Sequence, residues 1–98
     1  MTINKKQNGS TLTVALEGRL DTTTAPQLES EIRQSLDGVK TLVMDFEKLD
    51  YISSAGLRVL LSTHKIMNKV GEMKITHVNE TVSEVFEVTG FSDILNIE

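Results

Sequence analysis

Two adjacent hydroxyls, Ser53 and Ser54, sit in the stretch DYISSAGLRVLL (50–61), where an apolar run gives way to helical spacing. A serine at such a junction can serve two kinds of chemistry. As a cap, its side-chain oxygen accepts a hydrogen bond from a free N–H of the first helical turn. As a phosphate acceptor, it would hold a group of about −1.5 to −2 charges where free N–H groups and the helix dipole stabilise an anion. Ser54 falls on the expected N-cap position, and the small residues Ala55 and Gly56 leave the approach to its hydroxyl open. Both uses therefore stay open at this point.

Nucleophilic catalysis is a poorer fit. An esterase elbow needs glycine two residues before the serine as well as two after it. Gly56 meets the second condition, but position 52 is Ile52. His64 lies ten residues along the same helix, about 15 Å away at 1.5 Å per residue. His77 could approach the serines, but no third group stands in order to orient it. Metal binding has no visible framework either. The chain has no Cys, and His64, His77 and the scattered carboxylates show no ligand spacing. Gly18, Gly56, Gly71 and Gly90 are isolated, so no glycine-rich phosphate loop is present. No cofactor is expected.

Composition narrows the classes further. Ninety-eight residues with 39% apolar and 24% charged side chains make one globular domain, residues 1–98. The net charge of −4 argues against a general nucleic-acid binder, which would show a basic face. Acidic residues Glu80, Glu84, Glu87, Asp93 and Glu98 follow Asn79 with no Lys or Arg among them, as a solvated helix face or a surface for a basic partner. No early apolar leader and no run long enough to span a bilayer are visible, so no membrane is expected and a cytoplasmic location is.

These serines need elements to position them. Leu12, Val14 and Leu16 alternate with polar residues and predict a half-buried strand over 11–17. A weaker strand over 2–7 precedes it, joined by an Asn8-Gly9 turn. Thr24 and Gln27 read as a capping box, with Pro26 in the first turn of a helix from Ala25 to Leu36. Its apolar positions Leu28, Ile32 and Leu36 recur every four residues before Gly38. TLVMDF (41–46) predicts a strand covered on both faces. The serine helix follows, with Leu57, Leu60, Leu61 and His64 along one face, and Val70-Gly71 ends it. EMKITH (72–77) predicts another strand; Asn79 caps a third helix carrying Val82, Val85 and Phe86, closed by Gly90. A last short strand is expected over 95–97. The predicted core is Leu12, Val14, Leu16, Leu28, Ile32, Leu42, Val43, Leu57, Leu60, Leu61, Ile75, Val82 and Phe86.

This order predicts an α/β domain with a mixed, mostly parallel sheet, an initial β-hairpin and about three main helices. If strands 11–17 and 41–46 run parallel, the loops 18–23 and 47–53 leave the same sheet edge side by side. Asp21 then neighbours Ser53 and Ser54, on the edge where open α/β sheets place their sites.

The segments LEGRLDTTTAPQLE (16–29), LVMDFEKLDYISSAGLRVLL (42–61) and TGFSDIL (89–95) resemble the STAS family, named for sulfate transporters and anti-sigma factor antagonists. The resemblance runs from about Ile3 to Ile97 and is narrowest to the free-standing antagonists. It implies a non-enzymatic regulator that binds an anti-sigma factor, often also its serine protein kinase, when unphosphorylated. Phosphorylation of one serine ends that binding, and a serine phosphatase restores it. The family's acceptor falls on Ser54, three residues before Leu57, and its conserved acidic loop residue falls on Asp21. The surface implied for the partner comprises Asp21, Thr22, Thr23, Ser53, Ala55, Gly56 and Arg58, bordered by Arg19. The best-known antagonists carry Asp just before the acceptor; this chain has Ser53 there, a second candidate acceptor. The alternative within the family is a STAS subunit that is never phosphorylated and serves as a constitutive structural partner.

Overall fold

The computed structural model describes residues 1–98. Strands β1 (Thr2–Asn8), β2 (Thr11–Leu20), β3 (Thr41–Ile52) and β4 (Glu72–Thr76) form one sheet in the order β1-β2-β3-β4. β1 pairs antiparallel with β2, and β2, β3 and β4 are mutually parallel. Helices α1 (Ala25–Ser35) and α2 (Ser54–Asn68) make the two parallel crossovers, and α3 (Glu80–Thr89) follows β4. Gly9, at φ 64°, makes the hairpin turn that the Asn8-Gly9 pair predicts.

Leu12, Val14 and Leu16 of β2, Leu42, Met44 and Phe46 of β3, and Met73 and Ile75 of β4 are all buried. They meet Leu28 and Ile32 of α1, Leu57, Leu60 and Met67 of α2, and Val82 and Phe86 of α3 in one core. Phe46 and Phe86 tilt together with ring centroids 6.4 Å apart, which fastens α3 to the middle of β3. Each such side chain contributes roughly 1.5–3 kcal/mol when fully buried.

The covering is one-sided. Thr13, Ala15, Val43, Asp45, Lys74 and Thr76 alternate with the buried set and are only half-buried. The expectation that strand 41–46 is covered on both faces is therefore corrected, and Val43 leaves the core list. Leu61 is likewise half-buried, because Val59, Thr63 and Met67 carry the inner face of α2 instead.

Both central strands outrun their predicted ends at Glu17 and Phe46, so residues 18–20 and 47–52 are strand rather than loop. The pairing Ala15↔Asp45 is followed by Glu17↔Lys48, and Gly18↔Leu49 by Arg19↔Tyr51. At each shift β3 carries one extra residue, a bulge. The bulges move the inward phase of β3 from Met44 and Phe46 to Leu49 and Ile52. A spacing of three hides a strand from any search for alternation.

Two further expectations change. Residues 95–97 form no strand; after a 3-10 turn over Phe91–Asp93, Ile97 makes a single parallel bridge to Ile75. β4 stops at Thr76, and His77 takes a left-handed backbone at φ 58°.

Candidate functional site

β2 and β3 end together at the pair Leu20↔Ile52, and the Ser53 N–H donates to the Leu20 carbonyl at 2.9 Å. The next residues of each chain, Asp21 and Ser53-Ser54, therefore leave the sheet side by side, as the parallel topology predicts. Ser53 is extended at φ −101°, ψ 175°, and its Oγ accepts the Gly56 N–H at 3.5 Å. Its carbonyl accepts the Leu57 N–H at 3.0 Å. Ser53 is thus the N-cap, and the expectation that Ser54 caps α2 is corrected. β3 runs to Ile52 and no loop follows it, so the first residue the strand releases, Ser53, is already the cap. Ser54 is the first helical residue, and it is exposed.

The other half of the edge is a folded turn. Asp21 Oδ1 accepts the Thr23 hydroxyl at 2.7 Å, the Thr23 N–H at 3.0 Å and the Thr24 N–H at 3.2 Å. Thr24 does not form the expected capping box, since its side chain makes no cap hydrogen bond. Its hydroxyl instead donates to the Arg19 carbonyl at 2.8 Å and accepts the Asp21 N–H at 2.9 Å. The entry to α1 is held by Asp21, whose carbonyl takes the Ala25 N–H at 2.8 Å. The Thr23 hydroxyl is the main cause holding the Asp21 carboxyl below the ordinary aspartate range. Partial desolvation opposes it, and the Thr23 and Thr24 N–H groups reinforce it. Asp21 is a fixed negative charge at neutral pH.

Around this pair, Thr22 and Thr23 are exposed, Ala55 is half-buried, and Arg58 is exposed one turn beyond Ser54 on the same side of α2. Gly56 is different. It is buried, and a Cβ there would lie 2.6 Å from Leu20 Cγ and 2.9 Å from Ile52 Cγ1. It does not open the approach to a hydroxyl, and it is removed from the exposed surface predicted for a partner. It lets α2 seat against the strand ends.

Two groupings went unseen in the sequence. Arg19 lies over the Tyr51 ring, 4.3 Å from its centroid, with its Nε 3.9 Å from Asp21 Oδ2. Only the bulged register, which makes Arg19 and Tyr51 partners, could have shown it. On the open face, Asp45 and His77 meet at 3.1 Å across β3 and β4, with Glu47 close by. These residues show no ligand spacing along the sequence; strand pairing rather than spacing brings them together. His64 is engaged with Asn68 at 3.2 Å in the later turns of α2.

A family model described as STAS domain matches residues 2–98. Among curated proteins, BtrV of Bordetella bronchiseptica, provisionally named an anti-sigma factor antagonist, is 41% identical over 88 residues, covering 88% of this chain and 76% of that protein. The anti-sigma-B factor antagonist of Bacillus subtilis is 28% identical over 96 residues, covering 97% of this chain and 88% of that one. The fold is similar to that of the anti-sigma factor antagonist SpoIIAA in its unphosphorylated form, with TM-score 0.85 and 22% identity over 99% of this chain and 88% of that one.

Proposed function

The chain belongs to the STAS family, and from that premise we propose that it is an anti-sigma factor antagonist switched by phosphorylation of Ser54. Unmodified, it binds an anti-sigma factor that is also a serine kinase, through the edge formed by Asp21, Thr22, Thr23, Ala55, Arg58 and the two serines. Phosphorylated, it lets that partner go. A phosphatase resets it. The names carried by its relatives support the antagonist reading.

The observation that carries the switch is the division of labour between the serines. Ser53 makes the cap and Ser54 stands exposed as the first residue of α2. A phosphate on Ser54 can use the unpaired N–H groups of the first turn without disturbing the cap. It also sets a dianion beside the ionised Asp21 within a surface that docking would strip of water. Like-charge repulsion and desolvation then weaken the complex with no refolding of the domain. The reading is that of a binding module, not an enzyme.

The test is peptide mapping of the protein from its native cells. Trypsin releases LDYISSAGLR (49–58) whole, and fragmentation separates Ser53 from Ser54. Phosphate is expected on Ser54, absent from Ser54→Ala, with partner binding lost in the phosphorylated form. Phosphate confined to Ser53, or equal binding by both forms, would sink the proposal. Its absence under every growth condition would leave a constitutive STAS subunit.

A further inference from the structure

We propose that Asp45, Glu47 and His77, on the open face of the sheet, form a binding site for a divalent transition-metal ion of the zinc class. The site is separate from the serine edge and does not depend on the function proposed above.

Strand pairing builds it. Asp45 pairs with Thr76, the last residue of β4, and faces outward between the buried Met44 and Phe46. His77 follows Thr76 with a left-handed backbone, and its Nδ1 lies 3.1 Å from Asp45 Oδ1. Immediately after Asp45 the first bulge of β3 begins. It brings the Glu47 N–H within 3.0 Å of Asp45 Oδ1 and its carboxylate to the same side. One ligand atom from each of the three residues lies within 4.8 Å of the others.

Those separations suit a small ion. Zinc-to-nitrogen and zinc-to-oxygen bonds of about 2.0–2.2 Å place neighbouring ligands roughly 3 Å apart. Asp45 and His77 already meet that spacing at 3.1 Å, and a Glu47 carboxylate oxygen lies within 4.8 Å of both. Two carboxylates and a neutral imidazole balance the charge of a divalent ion. The cleft alongside is anionic as well, with Glu17, Asp45 and Glu47 against the single ammonium of Lys48. The imidazole favours zinc, nickel or copper over calcium and magnesium, which prefer all-oxygen shells. Three protein ligands leave further coordination positions to water.

A bound ion would tie the β4–α3 connection to β3. Asn79, two residues on, already caps α3 through the Val82 N–H at 2.8 Å and donates to the Leu49 carbonyl at 2.6 Å. The ion would brace the same junction from the open face.

The experiment is calorimetric titration of the tag-free protein with zinc chloride at neutral pH, with calcium and magnesium as competitors. With no Cys and two His in the chain, few competing sites exist. One zinc per chain is expected, unaffected by the hard cations. His77→Asn removes the imidazole while tolerating the left-handed backbone, and Asp45→Asn removes a charged ligand without touching that backbone. Each should lower affinity at least about tenfold, since even outer-shell losses cost about 10–100-fold. His64→Ala should leave binding intact. No saturable binding by the natural chain, binding that survives both His77→Asn and Asp45→Asn, or loss on His64→Ala instead would each overturn the assignment. Circular dichroism of every variant separates loss of the site from loss of the fold.

Discussion

The two ends of the β2–β3 pair follow opposite rules. At the end where β3 begins, backbone is packed on backbone. The Ser10 carbonyl takes both the Lys40 and Thr41 N–H groups, at 2.8 and 3.2 Å, and the Lys40 carbonyl takes the Glu72 N–H at 2.9 Å. Gly71 approaches so closely that a Cβ would sit 1.8 Å from the Lys40 oxygen. At the other end the register breaks twice, Asp21 folds a turn upon itself, and Ser54 stands in solvent. The closed end fixes the strand register, and register decides which residues meet at the open end. The site can be small and polar because its placement is determined elsewhere.

The sharpest way to break this contrast is to add one methyl group at each end. Gly71→Ala puts carbon against a carbonyl that cannot rotate away, so the strands must part. A loss of about 3 kcal/mol is expected, at the upper end for overpacking. Gly56→Ala meets the side chains of Leu20 and Ile52, which can shift. Alanine also gains up to about 1 kcal/mol over glycine within a helix. Its net loss should be at most about 2 kcal/mol. Urea unfolding of both variants gives the order, and a costlier Gly56→Ala would reverse the assignment of which end holds the register.

The same contrast explains what the sequence made legible. Regular alternation in Leu12, Val14 and Leu16 and the four-residue spacing of Leu28 and Ile32 follow directly from one-sided burial. Both therefore announced their elements. Parallel topology then brought Asp21 to the serines without any knowledge of side chains. What stayed hidden arises from irregularity. Bulges change the phase of β3, so Tyr51 looked like loop and its pairing with Arg19 could not be read. The cap fell on Ser53 because an N-cap is set by where the strand releases the chain, and two serines in a row offer either choice. Gly56 looked permissive for a ligand when its role is close packing, a distinction that only the neighbouring Leu20 and Ile52 reveal. The Asp45–His77 contact depends on a register between residues 32 positions apart.

Within the open end, the two serines should themselves differ. Ser53→Ala removes the oxygen that accepts the Gly56 N–H, a bond whose 3.5 Å length puts its value in the lower part of the capping range. About 0.5–1 kcal/mol of stability should be lost. Ser54→Ala replaces an exposed hydroxyl within a helix and should stay within about 0.5 kcal/mol of the natural chain. Thermal unfolding of the pair gives the comparison directly. Equal losses would mean that the cap is shared, and Ser54 would no longer stand free for modification.

The smallest effect expected is electrostatic and belongs to Asp21. Its carboxyl lies below the ordinary aspartate range in the folded chain, chiefly because the Thr23 hydroxyl donates to it. A depressed folded value means that the ionised form binds its turn more strongly than the protonated form does. Its contribution is fully present above about pH 3.9, the unfolded aspartate value. It is lost as pH falls toward and through the folded value. Asp21→Asn keeps an oxygen acceptor for the Thr23 and Thr24 donors but carries no charge, so it isolates the ionic part. The stability difference between the natural chain and Asp21→Asn should be flat at neutral pH and close only in the acid range. Because the side chain is 31% exposed, solvent screening keeps this difference small. A gap that closes near pH 6 instead would point to a histidine as its source and would remove Asp21 as the fixed charge beside Ser54.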